Sequence, residues 1–106
     1  MYNYHIAADC KAATWKTSAI SDFLHSQGNF SESSGCFFCQ SPYLDIFLLK
    51  AENPKSLNHL DSLDYDSSET NYISIITSKK IDDNEHIKKI LHGLERMLCS
   101  PVCCDA

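Results

Sequence analysis

Cys36 and Cys39 stand three positions apart, and Cys99, Cys103 and Cys104 crowd the other end of the chain. Thiols at such intervals are the usual half-sites of tetrahedral zinc, which needs four thiolate or imidazole ligands converging on one point. Phe37 and Phe38 fill the gap where a zinc knuckle needs a tight turn. If "CFFCQ" is extended, Cys36 and Cys39 point to opposite faces of a sheet and do not chelate together. The second cluster lacks a clean C-x-x-C. A redox pair fits no better, because such a pair draws its low pKa from a helix N-terminus after a strand. Here the motif runs into another predicted strand. Free cysteine packs as a small hydrophobe, and that is the expectation for these thiols. A zinc-stabilised regulatory domain built on Cys36, Cys39, Cys99, Cys103 and Cys104 is the alternative.

The histidines carry less. His86 and His92 lie six apart on a predicted helix and do not share a face as an i, i+4 pair does. His25, near a predicted helix end, suits the helix dipole. "DYDSSETNYISI" begins like a calcium loop at Asp64 and Asp66 but has Glu69 where Gly is required and Ile75 where a bidentate Glu is required. No phosphate loop, nucleophile elbow or H-E-x-x-H occurs. The expectation is a protein that is not an enzyme and takes no cofactor and no metal. A small hydrolase or transferase with a folded Cys–His pair is the catalytic competitor.

What remains is a run of carboxylates. Asp61, Asp64, Asp66 and Glu69 occur without an intervening base and are interleaved with Leu63 and Tyr65. Two readings stay open: a solvated loop, or a recognition surface whose carboxylates meet Arg and Lys while Tyr65 anchors. The whole chain leans the same way, with 9 basic against 14 acidic side chains and a net charge of −5. That balance lacks the basic stripe of a nucleic-acid binder. "MYNYHIAADCK" has the alternation of a strand rather than a secretory leader, and "YLDIFLLKA" is too short to span a bilayer. A cytosolic protein with reduced thiols is expected.

The elements that must position these groups follow from periodicity. Tyr2, Tyr4, Ile6 and Ala8 alternate as a strand. Thr14 is the expected cap of a helix carrying Trp15, Ala19, Ile20, Phe23 and Leu24, with Gly28 as its stop. Residues 29–35 read as a polar loop. "CFFCQ" and "YLDIFLLKAE" read as strands around Pro42. Residues 53–71 read as a long surface loop with one helical turn near Ser56 to Leu60. "YISIITSK" reads as a central strand apolar on both faces. Asp82, Asp83 and Asn84 open a last helix bearing Ile87, Ile90, Leu91, Leu94, Met97 and Leu98, with Gly93 as a weak point and Pro101 as its end. The expectation is one α+β domain over residues 1–106, mainly antiparallel, with two helices on one sheet face in the order β-α-β-β-β-α.

That pattern resembles a known group. A Tyr-rich first strand, "TWKTSAISDFL", "YLDIFLLK" and "LDYDSSETNYISIITSK" before a closing amphipathic helix look like small bacterial immunity proteins of polymorphic toxin systems. These include the contact-dependent growth inhibition and Rhs-type systems. The resemblance implies a monomer that binds a cognate toxin domain one-to-one in the cytosol, without nucleic acid or membrane. Such toxins are frequently nucleases with basic clefts, so Asp61, Asp64, Tyr65, Asp66 and Glu69 are the implied contacts.

Overall fold

The computed structural model describes residues 1–8, 14–28, 30–33, 35–40, 43–51, 63–64 and 68–105. Its strands are β1 (Tyr2–Ala7), β2 (Trp15–Lys16), β3 (Ser31–Ser33), β4 (Cys36–Gln40), β5 (Tyr43–Ala51), β6 (Leu63–Asp64), β7 (Glu69–Thr70), β8 (Tyr72–Thr77) and β9 (Cys103–Asp105); helix α1 spans Thr17–Ser26 and α2 spans Glu85–Leu98. Among the described residues the main sheet runs β3-β4-β5-β8-β1-β9, with β6 pairing β5 and a separate β2-β7 ladder. Every pairing is antiparallel. The expected α+β class holds, and short strands punctuate the expected element order.

Register explains the core. One row crosses the sheet from Glu32 through Phe37, Ile46, Ile75 and Tyr4 to Cys104. Flanking positions on this face include Cys39, Leu44, Leu48, Ile73 and Ile6, which pack with Ile20 and Leu24 of α1 and with Ile87, Ile90, Leu91, Leu94 and Leu98 of α2. Both helices therefore cover one face of the sheet. Burying each such side chain contributes about 1.5–3 kcal/mol before conformational entropy is counted.

The helix ends have assignable causes. Asn84 Oδ1 accepts from the backbone N–H groups of His86 and Ile87, both at 3.0 Å, and caps α2. A cap of this kind is worth about 1 kcal/mol. Cys99 closes α2 in the left-handed region at φ 54°. Asp82 and Asp83 do not form the first turn of α2; they lie in a preceding 3-10 turn over Ile81–Asp83. That turn is tied to β1, because the Ile81 N–H donates to the Tyr4 hydroxyl oxygen at 2.9 Å.

Further local expectations need correction. Trp15 belongs to β2 and not to α1, and α1 has Lys16 at its N-cap without a side-chain bond. The start of α1 is held by tertiary partners: the Thr17 N–H donates to the Ser68 carbonyl at 3.0 Å, and Thr17 Oγ1 sits 2.8 Å from Thr70 Oγ1. Part of the loop expected at 29–35 is edge strand β3, with Phe30 buried beside it. Met97, expected in the buried stripe, is 39% exposed.

Gly93 has a packing reason. A Cβ there would collide with the Phe23 ring, reaching 3.1 Å from Cε1 and closer still to Cζ. The missing side chain lets α1 lay an aromatic ring on the backbone of α2, a contact that offsets the helix propensity lost at glycine.

Candidate interaction surface

Among the described residues no helix covers the second face of the sheet. Its central row runs Ser33, Cys36, Phe47, Ser74, His5 and Cys103; the next runs Ser31, Phe38, Asp45, Ile76 and Asn3. Phe38, Tyr43, Asp45, Phe47, Tyr72 and Ile76 are all half-buried. The rings are ordered against one another: Phe38 meets Tyr43 edge-on with centroids 5.6 Å apart, and His5 stacks on Tyr72 at 5.5 Å and 6°. Held this way, they have little rotamer freedom left to lose on binding.

Asp45 gives this apolar surface its polar point. The Tyr43 hydroxyl donates to Asp45 Oδ2 at 2.6 Å. That bond to the carboxylate is the main reason the Tyr43 pKa lies above its ordinary value of 10.0. The Cys36 thiol is also pushed above its ordinary value of 9.0, first by burial and then by the charge of Asp45. A raised pKa leaves little thiolate, so Cys36 is poorly suited to nucleophilic or ligand chemistry.

The remaining cysteines are dispersed. On β4, Cys39 is buried among core residues while Cys36 lies on the opposite face. Cys99, Cys103 and Cys104 are exposed. No group of three or more His, Cys, Asp or Glu side chains converges as a metal site among the described residues; Cys10 lies outside them. Pairing of β1 with β9 sets Cys103 opposite His5. The Cys103 thiol, however, donates to the Pro101 carbonyl at 3.9 Å, and the His5 ring lies flat on Tyr72.

Of the five carboxylate-segment residues, Asp61, Tyr65 and Asp66 lie outside the described residues, as do Pro42 and the helical turn expected near 56–60. Asp64 is placed by register opposite Lys50, at the end of β5. Glu69 reaches the same residue: its Oε2 lies 3.6 Å from Lys50 Nζ, with 51% of the Glu69 side chain exposed. The fold thus gathers Asp64 and Glu69 at the end of the strand that presents Tyr43, Asp45 and Phe47. So exposed an ion pair adds little stability.

Compared with protein-family models, curated proteins and solved structures, the chain matches none. The site therefore rests on its own geometry. Among the described residues no helix is long and apolar enough to cross a membrane.

His25 illustrates how the helix side differs. Its Nε2 lies 2.8 Å from Glu32 Oε1, which also accepts from Ser21 Oγ at 3.1 Å. The His25 bond is the main reason the Glu32 carboxyl titrates below its ordinary value of 4.5. A depressed carboxylate adds stability that is present above the unfolded value and disappears as pH falls through the folded one. Unfolding of Glu32→Gln beside the native protein should show a deficit of less than about 1 kcal/mol near neutrality. It should shrink as pH falls below the ordinary value of 4.5 and through the lowered folded value. A deficit that does not shrink on acidification would show that the carboxylate charge is not its source.

Proposed function

We propose that this protein is a non-catalytic binding module of the toxin-immunity class, which docks one toxin domain and neutralises it in the cytosol. The observation that carries this reading is the sheet face that no described helix covers. There Phe38 and Ile76 lie across from Asp45, Tyr43 and Phe47 flank it along β5, and Tyr72 stands further along the same face. Aromatic anchors around a fixed polar group are what interface hot spots are made of. The net charge of −5 favours a basic partner and speeds encounter with it. A nuclease domain, whose cleft must attract phosphate, is such a partner. Asp64 and Glu69, gathered at Lys50, form a second acidic spot at the end of β5, on the strand side opposite Asp45 and Phe47 by alternation.

The test is to identify any toxin domain encoded next to this chain and to co-express the two. Growth should be restored and a one-to-one complex recovered; continued toxicity with no complex would reject the reading. The acidic segment has its own check. Asp64→Lys combined with Asp66→Lys should weaken binding by about 10- to 100-fold and flatten its salt dependence. Unchanged affinity would remove that segment from the interface and leave the sheet face as the site.

A further inference from the structure

We propose that the groove between α1 and α2 is a second docking site, which takes an acidic amphipathic helical segment of a partner protein. The groove holds about 430 Å³ and is lined by Phe23, Gln27, Lys89, Gly93, Arg96 and Met97. At Gly93 the Phe23 ring rests directly on the backbone of α2, so both form part of the lining.

The lining has a definite chemistry. Lys89, Gly93, Arg96 and Met97 fall at i, i+4, i+7 and i+8 on one stripe of α2. The two cations are thus about 10 Å apart along the helix axis, with an apolar floor between them. Among the described residues no carboxylate lines the groove. Among the described residues the ion pairs are His25–Glu32 and Lys50–Glu69, so neither Lys89 nor Arg96 is neutralised by a described side chain. Two unneutralised cations around exposed apolar side chains stand out on a chain of net charge −5.

Those features select the occupant. Carboxylates about two helical turns apart reach Lys89 and Arg96 while the residues between them cover Phe23 and Met97. Met97 adapts to such contacts because its thioether is unbranched and polarisable. A small anion fits less well, since small-molecule sites enclose most of their ligand and this groove is open along its length. A nucleic acid would meet two cations on an otherwise acidic molecule, too few to hold a phosphate backbone. The groove lies on the helix side, away from the sheet face, so the inference stands independently of the toxin reading.

The experiment uses the whole chain and two fluorescent peptides of about 12 residues, each apolar along one stripe, with Glu at positions seven apart in one and Lys in the other. The Glu peptide should bind saturably and shift the amide resonances of Phe23, Gln27 and residues 89–97. Lys89→Glu with Arg96→Glu should weaken it about tenfold or more. Both residues are exposed, so an unchanged urea midpoint serves as the folding control. Met97→Ala, which leaves both charges in place, should also weaken binding. Equal binding of the two peptides, undiminished binding by the charge-reversed variant, or shifts confined to the sheet face would overturn the proposal. So would self-association of the native chain that the same charge reversal abolishes, because the occupant would then be a second copy.

Discussion

Truncating Phe37 to Ala lowers the unfolding free energy by about 3–5 kcal/mol. Phe37 is fully buried on β4, opposite Glu32 on one side and Ile46 on the other, and the His25 ring meets it edge-on at 5.7 Å. The void would open beneath α1, where the sheet backbone cannot collapse to fill it without breaking the β4-β5 ladder. Domains of this size are stable by roughly 5–15 kcal/mol in total, so this single change removes a large share. Urea unfolding is the measurement, with a midpoint lower by about 2 M for a typical slope. A loss under about 1 kcal/mol would mean that the row through Phe37 is not the centre of the packing.

Phe47→Ala behaves in the opposite way. Phe47 lies on the face opposite the two described helices, in the row with Cys36, Ser74 and His5. Half-buried and outside the core cluster, it costs about 1 kcal/mol of stability when truncated. On the proposed reading as a toxin-binding module, its truncation should weaken binding by about 2–4 kcal/mol, roughly 30- to 1000-fold. Titration calorimetry against the co-expressed toxin domain reads that change, and Phe38→Ala supplies an independent neighbour. Neutralisation that survives both truncations would show that the sheet face is not where the toxin docks.

The pair also separates what was legible in the sequence from what was not. The helical spacing of Ile87 through Leu98 and the cap at Asn84 announce α2, because both are local signals. β8 is equally readable as a central strand, since Ile73, Ile75 and Ile76 put apolar groups on both sides, though only the Ile73 and Ile75 side meets the described helices. Edge strand β3 is not readable: Ser31, Glu32 and Ser33 have no apolar alternation, and polar residues are what an exposed sheet edge favours. Strand β9 is hidden for a related reason, since three residues after Pro101 gain their structure from β1. The start of α1 misleads because tertiary bonds from Ser68 and Thr70 replace the side-chain cap that Thr14 seemed to offer.

The candidate surface was obscured by a different ambiguity. "YLDIFLLK" is apolar at odd and even positions alike, so alternation does not say which side meets the helices. Tyr43, Asp45 and Phe47 became a group when register placed them together across from Leu44, Ile46 and Leu48. The carboxylate run at 61–69 drew attention by its charge, whereas the aromatic face is spread over strands distant in sequence.

That two-sided apolar strand also makes Asp45 a guard against mispairing. Sliding β5 by one residue would exchange its two sides, and oily side chains would fit almost as well in either frame. Asp45 breaks the tie, because the slipped frame drives its carboxylate under the helices, away from water. A single acidic residue in an otherwise greasy stretch thus helps the chain choose one alignment during folding.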